Sequence, residues 1–492
     1  MRKHLNFVYR STIFLIILCV CIKLIYQIIT PKVCYEEMLP TTLSYIDFYN
    51  MEKDTVDVLF LGSSLAATAY IPQELYNQYG IRSYSLASEK QSPIISYYWL
   101  KEALRYQSPR VIVLDCYYFF ATNSSVLNTS EISVRRAMDY MKWSSVKLEA
   151  VRTICKLDQS QSLASYFFPN IRYHERWKEL TETDFSLTEM VDGYDLKGYA
   201  PLEGQCGYDE YLPYDVGGNS KKIAEMSPLM ESYLDKICGL CEQEGISLVL
   251  VNVPLVNADA GRFYAMQKYA EDHKLQFLDF NEKSLYEASG YDFPTDSYDC
   301  AHTNLWGAKK ITTYLGNVLA EQYHVGEKSD VQWESTKDFY EGIQKDCELV
   351  HITDIDEYIE AVHDDRYSVF ISAKGSYAVG LKDTTVRKLR GAGLQFELQP
   401  DDSMEDFYCY YAVLSGKQTE EYIGYEEKVL NSSFRNGLVT YDITGDGSIV
   451  INGEEESIQG NGLNIVIYHN DKKKVLDSVC FDTTMEENIA NR

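Results

Sequence analysis

The chain alternates short apolar runs with segments whose apolar residues recur at helical spacing, from about residue 54 to residue 325. Three runs are almost wholly apolar, as in strands buried on both faces: VDVLFLG, RVIVLDCYYFF and ISLVLVNVP. Segments such as SPLMESYLDKICGLCEQEG and NLWGAKKITTYLGNVLAEQYH have the spacing of amphipathic helices. Strands separated by helices predict an α/β fold with a parallel sheet covered on both faces.

The pattern changes three times, once within this region and twice after it. Residues 122–224 are rich in Ser, Tyr and charge and too long for a simple loop, which predicts an insertion. Residues 331–347 are polar and acidic and predict a linker. From residue 348 to 492, short alternating strands and turns predict a second, β-rich domain. The α/β domain is therefore expected over 33–330, after an N-terminal segment of residues 1–32.

That N-terminal segment predicts a membrane anchor. Arg2, Lys3 and Arg10 precede an apolar stretch long enough to cross a bilayer, which needs about 20 residues. No small-x-small cleavage motif follows the stretch, so an uncleaved anchor is favoured over a signal peptide. The basic flank predicts a single-pass protein with its N-terminus in the cytoplasm and all residues after about Thr30 outside.

Charge and cysteine usage narrow the possible partners. The formal net charge of −27 repels phosphate backbones, so we expect no nucleic-acid partner. Cys238 and Cys241 form a CxxC within a helical pattern without a second ligand pair, which favours core cysteines over a zinc or redox site. Disulfide pairing stays open. Asp442 and Asp446 offer too few ligands for calcium. We expect no cofactor and no metal.

A polar turn follows the first predicted strand, in FLGSSLAATAY. A serine there lies at the carboxyl end of a parallel strand, where such sheets bind ligands. The next helix begins at the same place, and its free amides could stabilise an oxyanion. Ser64 is therefore a candidate nucleophile, although a serine in this position is most often only a helix cap.

A second motif, DSYDCAHTNLWGAKKI, follows the last strand of the α/β pattern. A serine hydroxyl needs a base to become nucleophilic, and an acid must orient that base. His302 and Asp299 have the residue types and spacing for these two roles, while the alternative is a local cap before a helix. The two motifs together predict a Ser64–His302–Asp299 triad.

FLGSS and DCAHTNLWGAKKI resemble the first and last blocks of the SGNH/GDSL hydrolase superfamily. The resemblance covers about residues 54–325 and implies a flavodoxin-like three-layer α/β/α fold. It also implies that Ser64 is the nucleophile, His302 the base and Asp299 the orienting acid. Ser63 stands where many members carry Asp. The G-S-S form is more similar to the membrane-anchored branch, which includes teichoic-acid D-alanine transfer and alginate O-acetylation proteins.

The chain departs from this family in the middle blocks, which supply oxyanion donors. SLASEKQSP has no glycine at the second block, so Ala87 or Ser88 is the candidate amide donor alongside Ser64. No G-x-N-D follows the third strand, and Asn123 is the candidate side chain. His174 and Trp177, in RYHERW, are candidates for lining a sugar or acyl pocket, although such insertion residues are more often a packing cluster.

The C-terminal region resembles the interleukin-like EMT-inducer domain, which is similar to the stem domain of an O-mannose N-acetylglucosaminyltransferase. GLNIVIYHNDKKKVLDSVCFDT is the most specific part of the match, which covers about residues 348–484. The resemblance implies a compact β-sandwich with short helices. Carbohydrate binding is known in the stem-domain branch, so glycan binding is an expectation here.

Taken together, the sequence predicts a membrane-anchored, extracytoplasmic SGNH-type serine esterase or O-acyltransferase. Its expected substrates are acyl esters, acetyl esters first, of cell-envelope or exported glycans, and its expected partner is a membrane-bound O-acyltransferase. The alternative is an inactive SGNH scaffold that binds glycan as an accessory to such a transferase. A third possibility is an adhesion role centred on the C-terminal domain.

Overall fold

The computed structural model describes residues 2–31, 41–120, 127, 129–168, 170–185, 196–216, 222–256, 258–326, 328–396, 409–416, 418–434, 437 and 439–492. It divides into two compact units, Met1–Tyr340 and Glu341–Arg492. The first contains a parallel sheet with helices and the second is rich in antiparallel strands. The predicted α/β class and the predicted β-rich C-terminal region are confirmed at this level.

The first unit is built on a five-stranded sheet. Its strands are β1 Val58–Gly62, β2 Ser83–Ala87, β3 Val111–Asp115, β4 Ser247–Asn252 and β5 Gln276–Asp279. All neighbours pair in parallel, in the order β2-β1-β3-β4-β5. This is the order of flavodoxin-like doubly wound sheets, which bind ligands beyond the carboxyl ends of their strands where the order reverses, here between β1 and β3.

Sixteen helices precede or follow these strands in the described part of the chain. They are α1 Arg2–Ile29, α2 Thr41–Phe48, α3 Ser64–Ala69, α4 Pro72–Tyr79, α5 Pro93–Ala103, α6 Glu131–Met138, α7 Ser145–Leu157, α8 Leu163–Phe167, α9 Asn170–Tyr173, α10 Pro228–Glu244, α11 Ala260–His273, α12 Lys283–Ser289, α13 Phe293–Asp296, α14 Leu305–Tyr323, α15 Val331–Glu334 and α16 Lys337–Leu349. Short 3-10 turns occupy Tyr117–Phe119, Arg176–Lys178 and Glu182–Phe185.

The sheet separates two hydrophobic cores. Successive side chains of a strand point to opposite faces. In β1, Leu59 and Leu61 belong to one core, whereas Val58 and Phe60 belong to the other. Helices α2, α5 and α10 pack into the first core, and α3, α4 and α14 into the second. The near-continuous apolar strands are thus explained by burial on both faces.

Helix α1 differs from the others because most of it is exposed. Its segment Val8–Ile29 is the one helix in the described residues that is long and apolar enough to cross a membrane, by length and composition. Residues 13–18 and most of their neighbours expose apolar side chains, whereas Ile29 is buried. The end of α1 therefore contacts the rest of the first unit, through the segments around α9 and the turn Glu182–Phe185.

The residues predicted as a linker, 331–347, are mostly helical instead. They form α15 and most of α16. Trp333 is fully buried in the first core, and Tyr340, Ile343 and Cys347 are buried at helical spacing on α16. The three buried residues of α16 lie on one face of that helix, and this periodicity is hidden in the sequence by the polar residues between them.

The described part of the second unit contains most of α16, two further helices and two antiparallel sheets. Its elements are α17 Ile355–Ala361, β6 Tyr367–Lys374, α18 Asp383–Gly391, β7 Cys409–Ser415, β8 Gln418–Gly424, β9 Val429–Phe434, β10 Val439–Thr444, β11 Ile449–Ile451, β12 Glu454–Glu455, β13 Gly462–His469, β14 Lys474–Asp482 and β15 Ile489–Asn491. The six-stranded sheet has the order β15-β14-β13-β6-β7-β8, and the four-stranded sheet the order β12-β11-β10-β9.

The larger sheet of this unit packs different layers on its two faces. Val369 and Ile371 of β6 share a core with α17 and α18. Phe370, between them, points to the other face and shares a core with Tyr441 and Ile443 of the smaller sheet. The unit is therefore a sandwich of two sheets with a helical layer on the outside of the larger one.

Candidate active site

The turn after β1 brings the chain very close to β3. Gly62 has φ +150°, and a Cβ atom added to it would lie 2.4 Å from the Cβ of Asp115. Only glycine fits this approach. Ser63 then caps α3, since its side chain accepts a hydrogen bond from the Leu65 amide. Ser64 is the first residue of α3, so its hydroxyl lies at the carboxyl edge of the sheet.

Asp115, the last residue of β3, holds this turn in place. Its Oδ2 accepts hydrogen bonds from the Ser63 hydroxyl at 2.6 Å and from the Ser63 amide at 3.1 Å. Burial raises the pKa of Asp115, and the bonds from Ser63 and from the Tyr117 amide offset only part of that rise. The sequence interpretation missed Asp115. The available signal was an acidic residue that ends a buried apolar strand.

The predicted triad residues form one continuous chain of contacts. Ser64 Oγ lies 2.9 Å from His302 Nε2. His302 Nδ1 lies 2.9 Å from Asp299 Oδ2 and 3.0 Å from Oδ1. With the ring proton on Nδ1, the imidazole donates to the carboxylate and accepts from the serine hydroxyl, which is the arrangement that a general base requires. Residues 238 positions apart thus meet at one edge of the sheet.

Asp299 is held ionised by its own loop. Its Oδ1 accepts hydrogen bonds from the amides of Ala301 and His302, each at 2.8 Å. Partial burial alone would raise the pKa of Asp299, but the amides and the His302 ring outweigh it and hold this pKa below its usual value. The His302 side chain is 22% exposed and that of Asp299 is 46% exposed, so a small molecule can reach the imidazole.

Neighbouring residues fix the loop that carries His302. The Thr303 hydroxyl donates to the Thr68 carbonyl of α3 at 2.8 Å, which ties the histidine loop to the helix that begins at Ser64. Asn304 caps α14, since its side chain accepts from the Gly307 amide at 3.1 Å. The distance between the Ser64 hydroxyl and the His302 imidazole is therefore set by contacts of the residues that directly follow the histidine.

The candidate oxyanion donors differ in their availability. The Ser64 amide has no acceptor in the part of the chain that the structure describes, as expected at the start of a helix. The Ser88 amide donates to the Gly62 carbonyl at 3.3 Å, so it extends the β1–β2 pairing. Ala87 pairs directly with Gly62 in that ladder. Asn123 lies outside the described residues.

The structure puts His174 and Trp177 on the surface of the insertion. The His174 side chain is 70% exposed, and its Nδ1 lies 2.8 Å from the Ile171 carbonyl. Trp177 is 65% exposed. Between them, Arg176 donates to the carbonyl of Ile29, at the end of α1. The Arg176 contact joins the segment to α1, and none of the segment's described contacts leads to Ser64.

The CxxC lies inside the protein. Cys238 and Cys241 are buried on α10, and burial raises the pKa of Cys241 to about 12. Such thiols are poor nucleophiles and poor metal ligands. Within the described ranges, no group of three or more metal-ligating side chains occurs.

Comparisons with known proteins add little at the level of family. No protein-family model matches the chain. No curated protein matches it either. Among solved structures, a crystal structure of a proposed acylhydrolase from Bacteroides fragilis NCTC 9343 is similar with a TM-score of 0.27 and 10% identity, over 58% of this chain and 98% of that chain. A likeness at this level establishes neither a shared fold nor a shared activity.

Proposed function

We propose that the protein is a membrane-anchored, extracytoplasmic serine esterase or O-acyltransferase of the SGNH type. Its substrates are acyl esters, acetyl esters first, of cell-envelope or exported glycans. The observation that carries this proposal is the contact chain from Ser64 through His302 to Asp299 at the ligand-binding edge of a doubly wound sheet. The G-S-S and D-x-x-H motifs, which resemble those of SGNH hydrolases, support the same conclusion.

The first half of the reaction transfers the acyl group to Ser64. His302 Nε2 accepts the hydroxyl proton as Ser64 Oγ bonds to the ester carbonyl carbon, and the carbonyl electron pair moves to its oxygen. The Ser64 amide is positioned to donate to this oxyanion. When the tetrahedral intermediate collapses, the carbon–alkoxy bond breaks and the leaving sugar oxygen takes the proton from His302.

The second half regenerates the serine. His302 accepts a proton from water or from a sugar hydroxyl, whose oxygen bonds to the acyl carbon. The acyl–Oγ bond then breaks, and Ser64 recovers a proton from Nε2. Asp299 stabilises the imidazolium in both halves because it is ionised and contacts Nδ1. Esterase and transferase differ only in the acceptor, so the same residues serve either.

Two further features support the location and the substrate class. Helix α1 is long and apolar enough to be the anchor, and the basic residues before it favour a cytoplasmic N-terminus. The second unit packs two antiparallel sheets, which agrees with the sandwich implied by the resemblance to the EMT-inducer and stem domains. We propose that this unit binds glycan and that a membrane-bound O-acyltransferase supplies acyl groups to the transferase form.

One observation favours the rival proposal of an inactive, glycan-binding scaffold. The Ser88 amide is engaged with Gly62, so it does not add a second donor beside the Ser64 amide. Each missing oxyanion donor costs a factor of about 10²–10³ in rate. A triad that lacks this donor would therefore turn over more slowly or hold a ligand without reacting.

Ester turnover by the purified full chain separates the two proposals. Wild type should release p-nitrophenol from p-nitrophenyl acetate and acetate from an acetylated glycan, and Ser64→Ala should abolish both. Ser232→Ala, on α10, is the matched control and should keep full activity. Equal turnover by wild type and Ser64→Ala would contradict the enzyme proposal. Glycan binding without any turnover would support the scaffold.

A further inference from the structure

A wide groove lies between the last turns of α1 and the helices of the insertion. Its walls are α1 from Cys19 onward and residues 132–173, which include α6 to α9. Its volume is about 1090 Å³, slightly above the usual range of about 300–1,000 Å³ for small-molecule sites. We call it the anchor groove. It is separate from the triad, since none of its lining residues is Ser64, Asp299 or His302.

The anchor groove is basic, although the whole chain has a net charge of −27. Asp139 is the one carboxylate among its lining residues. Six cationic side chains line it: Lys23, Arg135, Arg136, Lys142, Lys147 and Arg172. A positive cavity on an acidic protein selects an anion, because the average field of the chain repels one elsewhere.

Two of these cations have donors to spare. Arg135 Nη1 and Arg172 Nε are buried and have no hydrogen-bond partner among the residues that the structure describes. The Arg135 side chain is only 4% exposed, and its Nη1 lies 3.7 Å from the nearest Asp139 oxygen, beyond hydrogen-bond reach. Its guanidinium stacks 3.4 Å above the Tyr166 ring. A buried guanidinium nitrogen without an acceptor costs stability unless a ligand supplies one.

The groove also offers an apolar surface. Trp143 and Phe167 stack with ring centroids 4.1 Å apart, yet they are 45% and 47% exposed. Phe168, beside them, is 66% exposed. Trp side chains are enriched at membrane–water interfaces, and the two Phe side chains add apolar surface beside Trp143. Here they lie beside the end of a helix whose largely apolar segment of 22 residues rises about 33 Å, close to the thickness of a bilayer core.

We propose that the anchor groove binds an anionic glycerophospholipid of the leaflet in which α1 ends. The phosphodiester accepts hydrogen bonds from Arg135 and Arg172, and the acyl chains lie along α1 and the Trp143–Phe167 pair. The combination of spare donors, cationic lining and exposed aromatic surface fits a lipid better than free phosphate, which would not use the apolar wall. The proposal rests on the anchoring part of the proposed function.

The test titrates the full chain, in maltoside micelles, with phosphatidylglycerol or phosphatidylcholine of the same acyl chains, and counts bound lipid by native mass spectrometry. A third titration uses glycerophosphoglycerol, the headgroup without acyl chains. We expect at least about tenfold preference for phosphatidylglycerol over phosphatidylcholine. Arg172→Gln and Lys142→Gln should each reduce phosphatidylglycerol affinity about three- to tenfold. Arg152→Gln, on α7 outside the groove lining, is the matched control and should leave it unchanged.

Three results would overturn the proposal: equal binding of the two lipids, undiminished binding by both groove variants, or headgroup binding as tight as that of the lipid. If Arg172→Gln does not fold, the exposed Lys142 decides the matter. Alkaline extraction of membranes tests the anchor separately, since release of the chain contradicts anchoring whatever the lipid result. Ester turnover by the Ser64→Ala variant tests the active site alone, so its result neither supports nor contradicts lipid binding in the anchor groove.

Discussion

Two aspartate–histidine pairs occur among the residues that the structure describes, one in each unit, and they differ in what surrounds them. His302 and Asp299 are partly exposed, and the second ring nitrogen of His302 faces the Ser64 hydroxyl. His469 and Asp346 are almost wholly buried, with Nε2 3.2 Å from the carboxylate. His469 Nδ1 accepts from two backbone amides instead of facing a hydroxyl.

The carboxylates differ in the same way. Asp346 also forms an ion pair with Lys472 at 2.9 Å and accepts a hydrogen bond from the Tyr367 hydroxyl at 2.6 Å. Fixed donors of the protein therefore occupy both of its oxygens. One oxygen of Asp299 accepts hydrogen bonds from backbone amides. The His302 ring is the one side-chain partner of Asp299 in the described part of the chain. An aspartate–histidine pair can therefore act as a base only where the ring nitrogen that does not contact the aspartate is open to a substrate or nucleophile.

The largest contrast between the pairs is expected from histidine removal. His302→Ala should lower kcat for ester hydrolysis on the order of 10⁴-fold or more, because Ser64 loses its base. His469→Ala should leave kcat unchanged and destabilise the second unit by about 1–3 kcal/mol, because a buried carboxylate loses a partner. Steady-state turnover and hydrogen exchange of β13 measure the two effects. Equal kcat losses would remove the distinction drawn here.

The second-largest effect on kcat is expected from replacing Asp299, the orienting acid. Asp299→Asn should lower kcat on the order of 10³–10⁴-fold with little change in KM, because the amide no longer stabilises the imidazolium. Asp346→Asn is the matched change in the second unit and should leave both kinetic constants unchanged. A kcat for Asp299→Asn close to that of wild type would show that the carboxylate does not assist His302.

The buried His469–Asp346 pair should make the stability of the second unit sensitive to acid. Burial alone would raise the pKa of Asp346, but His469, Lys472 and Tyr367 outweigh it and lower the pKa to about 2. Because the folded pKa lies below the unfolded value of about 3.9, ionisation stabilises the folded unit above about pH 4. This contribution, about 2 kcal/mol, should be lost as the pH falls from 4 to 2.

Hydrogen exchange of β6 and β13 across that pH range measures the loss after correction for the intrinsic exchange rate. The same series in Asp346→Asn should lack the component between pH 4 and pH 2. An unchanged acid profile in this variant would contradict the assigned role of the carboxylate.

The smallest expected effect concerns the support of the nucleophile. Ser63→Ala removes the cap of α3 and the 2.6 Å bond to Asp115, and it should cost about 1 kcal/mol of stability. It should also lower kcat about tenfold, because Ser64 is less well positioned. Ser63→Thr keeps the hydroxyl and should restore most of both losses. If the Ser63→Ala variant were as inactive as Ser64→Ala, the supporting role assigned to Ser63 would be contradicted.

The sheet, and the presence of both motifs at one edge of it, follow from simple rules. Apolar runs as long as β1, β3 and β4 leave little choice other than strands buried on both faces. The carboxyl ends of parallel strands lie at one edge, so residues after β1 and after β5 are expected at that edge. Strands β3 and β4 separate β1 from β5, so the contact itself depends on the loop that carries His302 back to α3.

Other features of the site depend on tertiary contacts that the sequence does not reveal. The bond between Asp115 and Ser63 joins adjacent strands that are 52 positions apart in the chain, and no local spacing encodes it. The engagement of the Ser88 amide depends on the β1–β2 register. The residues 331–347 look like a linker because burial of Trp333 and Tyr340 is decided by partners such as Glu74 on α4, which bonds the Tyr340 hydroxyl.

Activation of Ser64 by His302 is tested most directly by covalent labelling of the full chain with a fluorophosphonate, followed by peptide mapping. A serine activated by His302 should form one adduct, on Ser64, and His302→Ala should slow its formation on the order of 10³-fold or more. An unlabelled Ser64, or equal labelling of Ser64 with and without His302, would contradict the account.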